Sequence, residues 1–240
     1  MSIHCIIQAR MGSTRLSGKI MKFIEDKVML QHVIDRCKMS RYIDKVIIAT
    51  TNKKDDDIIE KYCIDNNILY YRGDENNVLE RYYLTASKFN SGIIIRVTSD
   101  CPLIDYNIID NMIDYFRENN LKFLQPKYFN GTNQKSRGGF PDGCNPQIFT
   151  YNLLVKTYNN VKTNFDKEHV CPYMVRNFMD KSYTIPDIDK FKNIDFTKLH
   201  LSLDTEEDYI FICDIFNKLY TKNKNFNIYD VLQLLNNKSI

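Results

Sequence analysis

Residues 6–19 read IIQARMGSTRLSGK, an apolar run that ends in a loop of glycine, hydroxyl and basic residues. A buried strand ending in such a loop can direct backbone N–H groups and cations to one point, which suits a phosphate. The P-loop pattern G-x-x-x-x-G-K-[ST] is excluded, because Gly12 and Gly18 lie six apart and Ile20 follows Lys19. The dinucleotide pattern G-x-G-x-x-G is absent as well. A phosphate-binding loop and a basic surface loop both remain open as interpretations.

Apolar runs alternate with helical patterns over the first 125 residues. The runs VIIAT (46–50) and IIIRV (93–97) are short, β-branched and nearly all apolar, which is typical of strands covered on both faces. Alternation of this kind predicts an α/β fold: right-handed β-α-β units in a doubly wound, mostly parallel sheet with helices on both faces. Ligands then gather at the carboxyl ends of the strands. We predict strands at 2–8, 44–50, 67–71, 92–97 and 121–125, and helices at 29–40, 55–66, 76–90 and 106–119.

The alternation of strand and helix patterns ends at residues 126–150, which hold four of the eight glycines. This segment is predicted to form a loop or β excursion over the site. After it we predict helices at 151–159, 167–180, 205–221 and 227–237, and a strand at 199–203. The last of these helices lies in a C-terminal segment, 222–240. We expect residues 1–240 to form a single domain.

Composition restricts the function classes. The net charge of +3 is too small to indicate a nucleic-acid partner. The seven cysteines are scattered and none forms C-x-x-C, so we expect reduced thiols, no zinc site and a cytoplasmic protein without a signal peptide. No apolar run approaches about 18 residues, so no membrane partner is expected.

Residues 9–19 follow the motif A-R-x-x-S-x-R-L-x-G-K, which resembles the nucleotide-binding loop of the CTP-dependent cytidylyltransferases. These enzymes make CMP-sialic acid and CMP-KDO, and the spore-coat-polysaccharide branch is the most similar. The resemblance implies a Rossmann-like fold of the nucleotide-diphospho-sugar transferase type. Ser17 stands where the family commonly has proline. The resemblance to this family also implies that seven residues contact the nucleotide: Gln8, Ala9, Arg10, Gly12, Ser13, Arg15 and Lys19. Of these, Arg10 and Lys19 are implied to be catalytic as well.

Two carboxylates follow predicted strands: Asp100 in RVTSDCPLID (96–105) and Asp204 in LSLDTEED (201–208). Together they could hold one Mg²⁺, which prefers oxygen ligands. They could instead be helix N-caps, with Asp204 and Glu207 forming a capping box. The segments resemble the family motifs D-x-P-L-[IV]-D and [VL]-D-T-x-E-D, which implies that both aspartates are catalytic metal ligands and that Ser99 binds nucleotide. Asp105 is open as a cap of the helix at 106.

A third strand-to-helix segment, RGDENNVLER (72–81), resembles the family stretch R-G-x-x-x-x-V-L-x-R beside the base and ribose. The resemblance implies nucleotide contacts by Arg72, Asp74 and Arg81. From the residues alone, Arg81 could equally pair with Glu75 or Glu80, because charged residues on helices usually form solvated faces.

Acceptor binding is implied for two later segments. Residues 143–149 align with the family pattern G-x-D-V-E-[VI]-F, but Asn145 stands where aspartate is usual and Gln147 where glutamate is usual. Such amides lose charge but keep hydrogen-bonding capacity. Residues 166–173 (DKEHVCPY) resemble [DR]-x-E-H-V-T-P-[YF], which adds Glu168 and His169. Nine-carbon acids, eight-carbon acids and phosphorylated polyols all remain open as acceptors.

The resemblance implies a cytidylyltransferase that moves CMP from CTP to a sugar acid or related surface-polysaccharide precursor and releases pyrophosphate. It is also compatible with a homodimer. One alternative is a nucleotide-sugar-dependent glycosyltransferase, for which Asp55-Asp56-Asp57 formally supplies a D-x-D motif. The other is a nucleotide-binding homologue that lacks catalysis.

Overall fold

The computed structural model describes residues 1–126, 141–179, 181–184, 186, 190, 194 and 199–237. The strands are β1 (Ile3–Gln8), β2 (Phe23–Ile24), β3 (Lys27–Val28), β4 (Lys45–Thr51), β5 (Leu69–Gly73), β6 (Ile93–Thr98), β7 (Phe123–Leu124) and β8 (Gln147–Thr150). The helices are α1 (Met29–Lys38), α2 (Asp57–Asp65), α3 (Val78–Lys88), α4 (Tyr106–Glu118), α5 (Tyr151–Asn160), α6 (Asn164–His169), α7 (Pro172–Phe178), α8 (Glu206–Leu219) and α9 (Ile228–Asn236). Among the described helices, none is long and apolar enough to cross a membrane.

Six strands form one sheet in the order β5-β4-β1-β6-β8-β7. The strands β5, β4, β1 and β6 run parallel, so that Ile7 of β1 lies between Ile48 and Val97. The strand β8 is antiparallel to both β6 and β7. The predicted doubly wound, mostly parallel sheet is therefore confirmed.

Helices cover both faces of this sheet, which explains why its central strands are apolar at nearly every position. On one face Cys5 and Ile7 belong to a buried cluster that also holds residues of α1, α2, α4, α8 and α9. On the other face Ile6 belongs to a second cluster, with residues of α3, α5 and α7. Alternate side chains of β1 therefore enter two different cores.

Two predicted elements in the second half were wrong. The helix predicted at 167–180 is divided into α6 and α7, because Val170 adopts a left-handed conformation (φ 68°) and Pro172 begins a new helix at its first position. The strand predicted at 199–203 does not form, and only one bridge joins His200 to Asp142. That segment is held instead by isolated bonds, including one from the Leu203 N–H to the Asp100 carbonyl at 2.8 Å.

The sequence did not predict the short β2–β3 hairpin, whose turn residue Glu25 has a φ of 52°. Of the predicted excursion at 126–150, residues 127–140 lie outside the described part of the chain. Its far end, 147–150, forms β8.

In the sheet, β4 lies on one side of β1 and β6 lies on the other side. The strand order therefore reverses between β1 and β6, where crevices form in open α/β sheets. The loop that follows β1 and the loop that follows β6 meet at this point.

Candidate active site

An open cleft of about 400 Å³ lies at the carboxyl ends of β1 and β6; we call it the main cleft. Its size is typical of a small-molecule site. The residues that line it come from the loop after β1, from β6 and its loop, from α3, from α6 and from the segment before α8. They are Gln8, Ala9, Arg10, Gly12, Ser13, Thr14, Arg15, Lys19, Ile20, Val78, Arg81, Arg96, Thr98, Ser99, Asp100, Glu168, His169 and Asp204.

The loop 9–19 has a defined conformation held from inside the protein. The Met11 N–H donates to the buried carboxylate of Asp56 at 2.6 Å. Gly18 adopts the left-handed conformation (φ 66°), which glycine reaches without strain, and begins the helical turn that contains Lys19. Among the described residues no acceptor contacts the backbone N–H groups of Gly12, Thr14 and Arg15. Those donors are available to an anion in the main cleft.

Lys19 lies at the centre of the site. Its Nζ donates to Asp204 Oδ1 at 2.8 Å, to the Leu203 carbonyl at 2.7 Å and to Asp100 Oδ2 at 3.4 Å. Only 11% of the Lys19 side chain is exposed, so this contact is screened little by water. The loop after β1 and the carboxylates of Asp100 and Asp204 are thus joined through one ammonium group.

Asp204 carries the strongest electrostatic stabilisation in the site. Its oxygens contact Arg15 at 2.9 Å and His200 at 3.5 Å, in addition to Lys19. The bond to His200 and then the Lys19 ammonium hold the pKa of Asp204 well below its usual range, although partial burial opposes them. Asp204 is therefore ionised throughout the neutral range and keeps a charge for a cation or a substrate.

The capping interpretation of both aspartates was wrong. The α8 N-cap is Thr205, which forms a capping box with Asp208 rather than Glu207. No helix begins at Asp100, because α4 begins at Tyr106 and its cap is Asp105, as the sequence suggested. The side-chain carboxylates of Asp100 and Asp204 therefore do not cap a helix.

The pair fits a divalent metal. Both carboxylates come within 3.4 Å of a single cationic atom, Lys19 Nζ, so one small cation can reach both. Mg²⁺ commonly takes one or two carboxylates and completes its shell with water and substrate phosphates. Within the described residues there is no preassembled group of three or more carboxylate, imidazole or thiolate ligands. The donor set is that of a metal that binds together with its substrate.

A second cavity of about 260 Å³ adjoins the main cleft and shares Arg96, Thr98, Asp100 and Asp204 with it; we call it the side pocket. Its remaining lining is Cys101, Asp142, Gly143, Asn145, Gln147 and Ser202. Gly143 has a φ of 90°, and a Cβ there would lie 2.3 Å from the backbone at Leu201 and Ser202, so only glycine allows this wall to close.

The structure brings most of the predicted residues together, with two exceptions. The Arg72 guanidinium binds Asp57 and Glu60 of α2 and the Thr51 carbonyl, and it does not line the main cleft. Asp74 accepts bonds from two backbone N–H groups of its own turn. Nucleotide contact by these two remains a prediction without structural support.

Arg81 does line the main cleft, and its guanidinium donates to the Asp74 carbonyl at 2.7 Å. Burial lowers the pKa of Arg81. Neither Glu75 nor Glu80 pairs with it; Glu75 contacts Arg10 at 3.7 Å instead, and Glu80 accepts a bond from Tyr158.

The four predicted acceptor residues divide between the cavities. Asn145 and Gln147 line the side pocket, as expected from their shared face, although Asn145 lies just before β8 rather than in it. Glu168 and His169, at the end of α6, line the main cleft. The predicted acceptor residues therefore lie in two adjoining cavities.

Sequence reasoning missed Arg96, Asp142 and His200. Arg96 lines both cavities, and His200 Nδ1 contacts Asp142 at 3.0 Å while its Nε2 faces Asp204. Arg96 lies four residues before Asp100 in a strand that is otherwise apolar. A charged residue in an apolar strand could have indicated this site, because a partly buried charge needs a ligand or a partner residue.

The Asp55–Asp57 triplet does not form a metal-binding D-x-D. Asp56 is buried and accepts from Met11 and the Thr51 hydroxyl, and Asp57 pairs with Arg72 at 2.7 Å. None of the three lines the main cleft. The feature that favoured a glycosyltransferase has a structural role.

The cysteines near the site are not activated. Burial raises the pKa of Cys171 to about 11 and that of Cys101 well above its usual value. These thiols are protonated at neutral pH, which does not suit a covalent nucleophile.

A family model described as cytidylyltransferase matches residues 4–234. The chain belongs to the cytidylyltransferase family. The spore coat polysaccharide biosynthesis protein SpsF of Bacillus subtilis is 30% identical over 219 residues, covering 89% of this chain and 85% of that protein. A 3-deoxy-manno-octulosonate cytidylyltransferase of Thermodesulfovibrio yellowstonii is 30% identical over 188 residues, or 74% and 71% of the two chains. The structure of a cytidylyltransferase from Leptospira borgpetersenii superimposes with a TM-score of 0.86 at 32% identity, over 99% of this chain and 94% of that one.

The resemblance seen in the loop 9–19 is confirmed by this match, and the chain is a nucleotidyltransferase. In this cytidylyltransferase the family match includes every residue that lines the main cleft and the side pocket. Residues 127–140 also fall within the match, although they lie outside the described structure.

We predict that Asp56 positions the loop 9–19. Asp56→Ala removes the acceptor of the part-buried Met11 N–H and of the buried Thr51 hydroxyl, so it should lower the free energy of unfolding by ~1–3 kcal/mol. Since the loop then loses its anchor, the Kd for CTP should rise about 10-fold, which is ~1.4 kcal/mol. Urea unfolding and calorimetric CTP titration measure the two effects.

Two controls separate positioning from general instability. Asp110 is equally buried and accepts the Arg41 N–H far from the cleft, so Asp110→Ala should destabilise the fold without changing CTP affinity. Asp55→Ala, at the exposed neighbour, should change neither quantity. An Asp56 variant that binds CTP as tightly as the Asp110 variant does would refute the positioning role.

Proposed function

We propose that this chain transfers CMP from CTP to a sugar acid or a related surface-polysaccharide precursor and releases pyrophosphate. The observation that carries the proposal is the junction of the two cavities. Lys19, Asp100 and Asp204 meet where the main cleft, lined by the basic loop 9–19, opens into the side pocket. Two substrates bound in adjoining cavities would meet at these three side chains.

The loop 9–19 is suited to the triphosphate. Arg10 and Arg15 are 47% and 62% exposed and turn toward the main cleft, while Lys19 is fixed at its inner end. With the backbone donors of the loop they supply the charge and hydrogen bonds that pyrophosphate requires as it leaves. The nucleoside would lie toward Gln8, Ala9, Ser99 and Arg81, which line the same cleft.

The reaction needs positioning and charge neutralisation rather than a protein nucleophile. An acceptor oxygen forms a bond to the α-phosphorus while the bond between that phosphorus and the β-phosphate oxygen breaks, and the acceptor proton passes to solvent. Asp100 and Asp204 would hold Mg²⁺, which supplies charge neutralisation at the phosphate and lowers the pKa of an acceptor hydroxyl. Asn145 and Gln147 in the side pocket, and Glu168 and His169 in the main cleft, would orient the acceptor.

The test has two stages. In thermal-shift titrations with Mg²⁺ we expect CTP to stabilise the protein more than ATP, GTP or UTP, by roughly 2.7 kcal/mol at 100 times its Kd. Acceptors are then screened for CTP-dependent pyrophosphate release, beginning with 3-deoxy-manno-octulosonate, N-acetylneuraminate and ribitol 5-phosphate. Equal stabilisation by all four nucleotides would contradict the CTP assignment, and a preference for UTP would indicate a uridylyltransferase.

The same screen decides between the alternatives. Tight CTP binding with no pyrophosphate released from any acceptor would favour a binding homologue without catalysis. Release of a nucleoside diphosphate from a nucleotide sugar would favour a glycosyltransferase. A dimer, if it forms, would be seen in sedimentation of the same samples.

A further inference from the structure

The guanidinium of Arg96 lies on the boundary between the main cleft and the side pocket. Arg96 is on β6, where its register partners are Ile6 of β1 and Gln147 of β8. One terminal nitrogen donates to Gln147 Oε1 at 2.6 Å, and the other donates to Gln8 Oε1 at 2.9 Å. Both partners are neutral amides.

Arg96 has no carboxylate partner among the described residues, unlike the three cations of the loop 9–19. Arg10 contacts Glu75, Arg15 contacts Asp204, and Lys19 contacts both site aspartates. The Arg96 Nε is moreover buried without a hydrogen-bond partner. A half-buried guanidinium whose charge is not compensated is costly unless a ligand supplies the opposite charge.

Among the described residues, Arg81 of α3 is a second cation of the main cleft without a carboxylate partner, and its Nε is likewise buried without a hydrogen-bond partner. Arg81 does not line the side pocket, whereas Arg96 lines both cavities. Of these two cations, only Arg96 can therefore contact an anion that is bound in the side pocket, where the acceptor would lie.

The neutral side chain of Gln147 leaves the positive charge of Arg96 uncompensated. Its carbonyl accepts from Arg96, while its Nε2 donates to Gln125 Oε1 at 3.1 Å, which fixes the amide orientation. A carboxylate at position 147 would form an ion pair with Arg96 in this geometry. The neutral amide orients the guanidinium without neutralising it.

We propose that Arg96 is the specificity residue for the acceptor, and that it binds an anionic group, a carboxylate or a phosphate, held in the side pocket by Arg96 with Gln147 as its orienting partner. The planar fork of arginine suits either anion. This inference rests on the proposed function, since it assigns the charge of the acceptor for that reaction. The Asp142 carboxylate in the same pocket is paired with His200 and does not contact Arg96.

The experiment compares each anion with its neutral counterpart. The carboxylate arm uses 3-deoxy-manno-octulosonate and its methyl ester, and the phosphate arm uses ribitol 5-phosphate and ribitol. Each is titrated with and without CTP and Mg²⁺ by thermal shift, and CTP-dependent pyrophosphate release is followed. We expect at least one anion to stabilise the protein, and its neutral counterpart to bind ~10-fold or more weakly, as for a charge-assisted contact. The arm that responds identifies the anion.

Three variants test the residue itself. Arg96→Gln and Gln147→Glu should each raise the Kd or KM for the responding anion ~10-fold or more, the first by removing the charge and the second by pairing it. Gln147 does not line the main cleft, so Gln147→Glu should leave the Kd for CTP within about threefold. Arg96→Lys keeps the charge without the fork and should retain part of the anion affinity, which distinguishes a binding role from a packing role.

Arg117 is an exposed arginine on α4 that stacks on Tyr42, so Arg117→Gln is the matched control and should change nothing. Equal binding of the neutral counterparts, undiminished anion binding by Arg96→Gln, or no response to either anion would each overturn the proposal. The proposed function fails separately, through absent CTP stabilisation, and anion binding without CTP is still measured in that case.

Discussion

Lys19→Met should reduce CTP-dependent turnover at least ~10²-fold, the usual cost of removing one preorganised donor from developing charge. The Lys19 ammonium contacts both Asp100 and Asp204, whereas Arg15 of the same loop contacts Asp204 alone, and only 11% of the Lys19 side chain is exposed. Methionine keeps much of the side-chain volume but removes the cation that contacts Asp100, while Asp204 keeps its contacts with Arg15 and His200. The measurement is kcat and KM for CTP, at saturating concentration of an acceptor found in the screen.

The matched control is Lys22→Met. Lys22 lies one residue beyond the same helical turn, pairs with Glu206 at the surface and does not line the main cleft. It should keep near-native turnover, since exposed ion pairs contribute little. Turnover of the Lys19 variant within threefold of the control would show that pyrophosphate departs without help from this residue.

Asp100→Asn and Asp204→Asn should each reduce turnover at least ~10²-fold, because the amide is nearly isosteric but removes the charge that a metal requires. The fold should persist, since neither residue caps a helix. If the two aspartates share one ion, the double variant should lose less than the product of the single losses. The readouts are kcat, the Mg²⁺ concentration at half-maximal rate, and the unfolding midpoint in urea.

Glu206→Gln serves as the control, because Glu206 lies two residues from Asp204 but is exposed and pairs with Lys22. Full activity in either single aspartate variant would exclude that residue as a required ligand. A loss of activity that tracks the unfolding midpoint in every variant would mean that the carboxylates serve the fold instead.

The elements that sequence predicted well are those specified locally. The runs at 46–50 and 93–97 are apolar at consecutive positions, which is the pattern of a strand buried on both faces, and both are central strands. Likewise, the position of Asp105 just before the helix at 106 suggests a cap, and Asp105 caps α4 through its own side chain. Such signals need only a few neighbouring residues.

Predictions failed where distant contacts decide the conformation. The segment 199–203 has a strand-like pattern, but its neighbours are Asp142 and Asp100 through isolated bonds, so no ladder forms. Arg72 lies at the carboxyl end of a strand, near where Asp100 lies relative to its own strand, yet β5 is the edge of the sheet, and Asp57 and Glu60 of α2 bind the Arg72 guanidinium. Strand order in the sheet, which no local window contains, separates these outcomes.

By itself the sequence determined the alternation of strands and helices, the family, and the residues of the loop 9–19 with Asp100 and Asp204. The loop 9–19 and Asp100 directly follow parallel strands, whose carboxyl ends lie at one edge of the sheet, and Asp204 is identified by its own short motif. Only the tertiary structure decided that Lys19 joins the two aspartates, and that Arg96 lies between Gln8 and Gln147 without a carboxylate partner in the described residues. These contacts connect residues 51 to 185 positions apart, and they depend on which strands are neighbours and on which face each side chain emerges.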